Sequence, residues 1–140
     1  MIRYFDASTL AKRYLQEQDT AFVRRLLAQG STATSRLSFV EVVSAIVRRC
    51  REGAFSIAER DRALAALAID FRAFYVVELV PEISSLTMDL LVRHSLRSGD
   101  AIQLASCLFL QQKLGRPVQF VVYDTRLTTA ARQEALTILP

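Results

Sequence analysis

Four carboxylates of this 140-residue chain stand where their chemistry could matter. Asp6 closes the run Ile2-Arg3-Tyr4-Phe5, and Asp124 closes Phe120-Val121-Val122-Tyr123. Taken singly, an Asp at a strand end is ordinary turn or N-cap chemistry. If both strands are parallel and central, however, the two side chains crowd one edge of one sheet. Glu41 sits inside Leu37 to Val47, where every close neighbour is apolar or small. Helical spacing groups it with Leu37, Ser38, Ser44 and Ala45, beside the fatter stripe of Phe39, Val43, Ile46 and Val47. It therefore borders the core, where a charge needs a partner; the plainer reading is a solvated Glu on a helix shoulder. Asp100 opens a helix within Leu96 to Ala105, where the dipole favours a carboxylate. Ser98 is the more natural cap there, which leaves Asp100 free for another task. If all four converge, two carboxylates about 4 Å apart repel by about 4 kcal/mol at an effective dielectric of about 20. Such a site must hold a cation or take up protons. All-oxygen donors suit Mg²⁺ or Mn²⁺. A site of that kind works on phosphates, by activating water, orienting the diester and neutralising the leaving oxygen. No histidine base is required, which fits a chain with one His.

The elements that must position these groups are legible in outline. Ile2–Asp6 reads as a first strand. Ser8 caps a helix to about Glu17, and Asp19 a second to about Gln29, stopped by Gly30. Ser31–Ser35 is a short strand candidate, and Leu37 to about Arg51 a helix ended by Gly53. Ser56-Ile57-Ala58-Glu59 has capping-box spacing and opens a helix to about Arg72. Tyr75–Val80 reads as a strand covered on both faces, stopped by Pro81. Ile83 to about His94 is helical, Gly99 breaks it, and Asp100 to Leu114 follows, closed by Gly115. Val118–Tyr123 is a strand, Thr125 to about Glu134 a helix, and Leu136–Leu139 a last short edge strand. Strands alternating with helices imply an α/β/α sandwich, a short and mostly parallel sheet flanked by helices. Ligands of such sheets bind beyond the carboxyl ends of the strands.

Composition narrows the function. The chain has the length of one domain, residues 1–140, with 51% hydrophobic and 23% charged residues, a globular balance. No apolar run approaches the roughly 18 residues of a membrane span. The N-terminus lacks the charged-then-apolar pattern of a signal peptide, so a cytoplasmic location is expected. Cys50 and Cys107 lie in apolar helical stretches and read as free, buried thiols of a reducing compartment. With one His and no CxxC there is no Cys/His zinc site. The formal charge is +4, and 16 of the 18 basic residues are Arg, whose planar fork suits phosphate. A proteome rich in Arg would give the same count. Arg126 either binds phosphate or packs against a helix end. His94 reads as a surface residue near a helix C-terminus. Phe71-Arg72-Ala73-Phe74-Tyr75 reads as a helix-to-strand core junction rather than a base-stacking platform.

Four stretches together resemble the PIN-domain family, in particular VapC-type ribonuclease toxins of toxin–antitoxin modules. Tyr4-Phe5-Asp6-Ala7-Ser8 is similar to the family's opening segment, and Ser38-Phe39-Val40-Glu41-Val42-Val43 to its Glu-bearing helix. Leu96-Arg97-Ser98-Gly99-Asp100-Ala101-Ile102-Gln103-Leu104-Ala105 and Phe120-Val121-Val122-Tyr123-Asp124-Thr125-Arg126-Leu127 resemble its last two motifs. They run in family order over nearly the whole chain. The resemblance implies a PIN-like sandwich and a Mg²⁺- or Mn²⁺-dependent endoribonuclease. Asp6 and Asp100 would be the main metal ligands, with Glu41 and Asp124 completing the acidic site and Ser8 orienting a carboxylate or water. A metal-activated water would attack, leaving a 5′-phosphate and a 3′-hydroxyl. The implied substrate is structured RNA of the tRNA or rRNA class. The implied partners are a cognate small antitoxin, in a hetero-oligomer, and a second copy in a homodimer.

Two positions depart from the family pattern. Val122 stands where a Ser or Thr is usual, which makes Asp124 the least secure ligand. Gln133-Glu134-Ala135-Leu136 replaces a turn that tends to carry Gly. Other phosphate enzymes fit less well. Asp6-Ala7-Ser8 lacks the DxD of Asp-nucleophile phosphohydrolases, and neither Lys12 nor Lys113 follows a strand as a receiver domain requires. There is no GxxxxGK[ST] or GxGxxG cradle. The competing expectation is a non-catalytic RNA- or partner-binding domain on the same scaffold.

Overall fold

The computed structural model describes residues 1–140. Its elements are β1 (Ile2–Phe5), α1 (Ala7–Ala11), α2 (Thr20–Leu27), β2 (Ser31–Ser35), α3 (Arg36–Arg51), α4 (Ile57–Ala73), β3 (Tyr75–Val77), α5 (Pro81–Arg93), α6 (Ser98–Leu114), β4 (Gln119–Val121), α7 (Thr125–Gln133) and β5 (Thr137–Leu139). The five strands form one sheet of order β3-β2-β1-β4-β5, parallel at every pairing. Parallel neighbours need a crossover, and the helices supply it.

Side-chain alternation along the central strands feeds two cores. Ile2 and Tyr4 of β1, with Phe120 of β4, join a cluster against Leu90, Leu104 and Leu127 of α5, α6 and α7. Phe5 and Val121 point the other way, to Leu10, Ile46 and Leu67 of α1, α3 and α4. Tyr4 and Phe120 meet edge to face at 5.5 Å. The sheet is thus sandwiched, as the strand–helix alternation predicts.

Several local expectations are corrected. The Tyr75–Val80 stretch yields only three strand residues, and they lie at an edge, with Tyr75 54% exposed. β-branched content marked a strand there but not its place in the order, and Pro81 goes on to serve as the first residue of α5. The helix after β1 stops at Ala11, far short of Glu17. Beyond it, Arg13 Nε reaches Asp70 at 2.6 Å and the Tyr14 hydroxyl donates to the same carboxylate at 2.7 Å. Those bonds fasten the chain to α4 instead of continuing the helix. Neither Ser8 nor Ser98 is a cap: Asp6 caps α1, and Arg97 holds the N-cap position of α6. Asp19 occupies the cap position of α2 with φ +66° and makes no side-chain cap bond. The capping box of Ser56 and Glu59 forms as the spacing predicts. Phe71 packs edge to face on Phe39 at 5.1 Å, so the aromatic cluster is a core junction. Both cysteines are free, Cys107 buried and Cys50 half-buried. No helix is long and apolar enough to cross a membrane.

Candidate active site

The chain leaves β1 toward β2 and β3 on one side, and returns to lay β4 and β5 on the other. The crevice at β1 and β4 is therefore the switch point at which such sheets bind ligands. Phe5 and Val121 are in register there. Asp6 follows Phe5 directly, and Asp124 stands three residues beyond Val121.

Asp6 is 3% exposed. Thr9 N donates to its Oδ1 at 3.1 Å, and Ser8 Oγ donates to its Oδ2 at 3.1 Å. Burial pushes the carboxyl up to about 6; hydrogen bonds from Thr9 and Ser8 pull it down, and repulsion from Asp100 adds to the rise. Asp100 sits in the first turn of α6, half-buried. Desolvation and the charge of Asp124 raise it, against the pull of Arg97. Glu41, on α3, is raised by desolvation and by Asp100, and lowered by a hydrogen bond from Gln103. A Cβ on Gly99 would stand 3.6 Å from Glu41 Oε1, so that carboxylate lies over the first turn of α6. Asp124 is exposed, and its Oδ1 accepts from Leu127 N at 2.9 Å.

An open depression of about 560 Å³ gathers Ser8, Arg97, Asp100, Asp124 and Arg126 among its walls. Asp6 is buried behind Ser8, and Glu41 lies against Gly99 rather than in those walls. Asp100 is the hub, because its charge couples to each of the other three. As the side chains stand, no three are grouped as they would be around a metal ion.

Beneath the acids runs a polar network that the sequence reading missed. The Tyr4 hydroxyl donates to Gln103 Oε1 at 2.7 Å, and Gln103 Nε2 donates to Ser38 Oγ at 3.0 Å. Ser38 shares a 2.7 Å bond with Thr34 Oγ1, which donates to the Phe5 carbonyl at 2.7 Å. All four side chains are buried. The available signal was Gln103 itself, a polar residue among Ala101, Ile102, Leu104 and Ala105, one turn after Asp100. His94 is also corrected: its ring is 8% exposed, with Nε2 2.7 Å from Glu134. The partner that draws it inward lies 40 residues away in sequence.

A family model for the PIN domain matches residues 3–133. The chain belongs to the PIN-domain family. It is 31% identical to the ribonucleases VapC45 and VapC49 of Mycobacterium tuberculosis, over 98% of this chain and 94% of each relative. That places it with the VapC-type ribonuclease toxins, which are RNA-cleaving hydrolases. The solved structure of M. tuberculosis VapC20, a toxin that cleaves the sarcin–ricin loop, shares the fold with a TM-score of 0.69 at 21% identity, covering 93% of this chain and 95% of that one. VapBC2 from Rickettsia felis, solved with a DNA fragment from its promoter, superposes with a TM-score of 0.69 at 10% identity, covering 99% and 98%. PIN-domain ribonucleases generally use a divalent metal. The donor set of this PIN domain fits one. Its carboxylates offer only hard oxygen ligands. Three of them are raised by burial and mutual repulsion, which a cation relieves.

Proposed function

We propose that residues 1–140 work as a single-domain, cytoplasmic endoribonuclease toxin dependent on Mg²⁺ or Mn²⁺, cutting RNA of the tRNA or rRNA class. The observation that carries the reading is the gathering of Asp100 and Asp124 in one depression at the switch point of the sheet, with Asp6 behind Ser8 and Glu41 against Gly99. Asp6 and Asp100 hold the metal, and Glu41 and Asp124 complete its acidic surround. When bound, the ion supplies an activated water and neutralises charge on the phosphodiester.

The protein's own groups set the stage for that chemistry. Ser8 fixes the Oδ2 edge of Asp6, and Thr9 N fixes Oδ1, so the carboxylate has one orientation. Gln103, one turn after Asp100, is itself held by Tyr4 and Ser38 and draws the Glu41 carboxyl down against the rise from desolvation. Arg97 and Arg126 flank the acids and offset the repulsion that the carboxylates exert on an approaching polyanion. A cognate antitoxin that covers the depression neutralises the toxin, in a hetero-oligomer. Self-association into a homodimer fits the exposed apolar side chains of Leu79, Met88, Leu91 and Val92.

One observation favours the alternative, a non-catalytic RNA- or partner-binding domain: the carboxylates are not grouped as around an ion. The deciding experiment is cleavage of total RNA by the antitoxin-free protein in Mg²⁺, Mn²⁺ and EDTA, beside Asp6→Asn and Asp100→Asn. Discrete fragments that need metal and both Asp residues establish the nuclease. Salt-dependent RNA binding without cleavage under any metal establishes the alternative.

A further inference from the structure

Two depressions adjoin the acidic one, and their charges differ. On one side, Ser8 is shared with a depression that also holds Arg48, Arg49, Glu17 and Glu52. Its two arginines are balanced by two acids. On the other side, Thr125 and Arg126 are shared with a depression of about 360 Å³ whose walls include Arg93, His94, Ser95 and Thr129. No carboxylate lines it. Arg126 enters none of the chain's ion pairs. Arg93 is anchored from behind, its Nη2 3.1 Å from Glu134, and the same carboxylate holds the His94 ring. Glu134 is 18% exposed, so it tethers the C-terminal end of α5 to that of α7 and sets this wall rigidly. The result is a preorganised cluster of guanidinium, imidazole and hydroxyl groups, continuous with the acidic centre through Arg126.

The geometry points to this second depression as the seat of an RNA backbone phosphate next to the one being cleaved. The inference rests on the ribonuclease reading and adds a direction to it. The strand is gripped on the Arg126 side of the cut and runs more loosely over the Ser8 side, where charges cancel. Arg126 and Arg93 supply charge-assisted hydrogen bonds, and Ser95 and Thr129 supply neutral ones. Because the contacts are to phosphate, they fix register without reading sequence.

The test uses the full chain carrying Asp100→Asn, so that RNA is bound and not cut, with a short single-stranded RNA as probe. Arg126→Gln and Arg93→Gln are each expected to weaken binding roughly ten- to a hundredfold, the worth of a hydrogen bond to a charged group. The salt dependence of log K should become shallower by about 0.7 for a lost phosphate contact. Arg116→Gln, just before β4 at the opposite end of the sheet, and Arg49→Gln, on the balanced side, should each change binding less than about threefold. RNAs with one uncharged methylphosphonate linkage, walked along the strand, should reveal one position at which Arg126→Gln no longer costs affinity. In the cleaving chain that position should lie beside the cut linkage. Arg126→Gln changes an exposed side chain, so its fold can be confirmed by circular dichroism. If Arg126→Gln and Arg93→Gln bind as Arg116→Gln does while the unmodified chain cuts RNA, the seat is wrong and the nuclease stands. Equal losses from Arg49→Gln and Arg126→Gln would remove the asymmetry and the proposal with it. A folded chain that neither binds nor cuts RNA overturns the nuclease reading as well as the seat.

Discussion

The ends of β1 and β4 are built alike and do different things. Each of these neighbouring parallel strands gives way to an Asp that caps the next helix, Asp6 through Thr9 N at 3.1 Å and Asp124 through Leu127 N at 2.9 Å. The local logic is identical, yet Asp6 is 3% exposed and driven up to about 6, whereas Asp124 stands in solvent. The difference comes from what lies overhead. α1 folds back over Asp6 and brings Ser8 and Thr9 onto it, with the α3 side of the core behind. α7 opens Asp124 into the depression. Capping and chemistry are thus not rival explanations of a strand-end Asp. The cap fixes the carboxylate, and burial sets how badly it needs a proton or a cation.

Asn caps a helix about as well as Asp, so Asp→Asn changes at the two ends separate charge from capping. In metal-dependent cleavage, Asp6→Asn and Asp100→Asn should each lose about two to three orders of magnitude, the order found for removing one preorganised electrostatic partner of a transition state. Asp124→Asn should lose less, about ten- to a hundredfold, since it stands at the open wall. Single-turnover rates on a mapped RNA substrate measure all three. Equal losses at Asp6 and Asp124 would erase the distinction drawn between the two ends.

The same pair can be compared through stability. A carboxyl raised in the folded state binds its proton more tightly folded than unfolded. The chain is therefore favoured where Asp6 is protonated, loses that stability as pH rises from about 4 to about 6, and levels off above. Keeping Asp6 ionised at pH 7 costs on the order of 3 kcal/mol. In EDTA, Asp6→Asn should exceed the unmodified chain by roughly 1–3 kcal/mol at pH 7 and match it near pH 4. Urea unfolding at the two pH values reads this directly. Added Mg²⁺ or Mn²⁺ should stabilise the unmodified chain but not the variant. A pH-independent difference would mean that Asp6 is not strained by its burial.

What the sequence showed and hid follows the same division. Asp6, Glu41, Asp100 and Asp124 stood out as candidates because each is an acid in an otherwise apolar or strand-ending context. The alternation of strands and helices, and the parallel sheet, followed from periodicity. The reading of Ser8 and Ser98 as caps failed because a cap is chosen by backbone geometry, and Asp6 and Arg97 occupy the extended positions. The Tyr75–Val80 stretch read as covered on both faces, yet only Tyr75–Val77 forms a strand and it lies at an edge, because β-branched content does not report strand order. His94 and Gln103 were misjudged or missed because their partners, Glu134 and the pair Tyr4 and Ser38, are distant in sequence. Gln103 is therefore the sharper test of the hidden layer. Gln103→Leu keeps the volume but leaves the Tyr4 hydroxyl and Ser38 without their buried partner, at a cost of about 1–3 kcal/mol. It should also weaken metal binding about 10- to 100-fold through the lost support of Glu41. Calorimetric titration with Mn²⁺ beside a thermal melt separates the two effects; loss of stability with metal affinity intact would confine Gln103 to the core.

The smallest effect belongs to Gly99, and it tests where Glu41 lies. Gly99 is in the first turn of α6, and its φ is not in the left-handed region, so the backbone does not demand glycine. A helical Gly→Ala change gains about 0.5–1 kcal/mol by narrowing the unfolded chain. The added methyl would meet Glu41 Oε1 at 3.6 Å, an ordinary contact, so Gly99→Ala should fold and keep most of that gain. The methyl also takes water from a carboxylate already raised by desolvation. The variant should therefore shift the Glu41 titration further up by NMR. A Glu41 titration unmoved by the methyl would place its carboxylate away from α6, and the acidic site would then rest on Asp6, Asp100 and Asp124 alone.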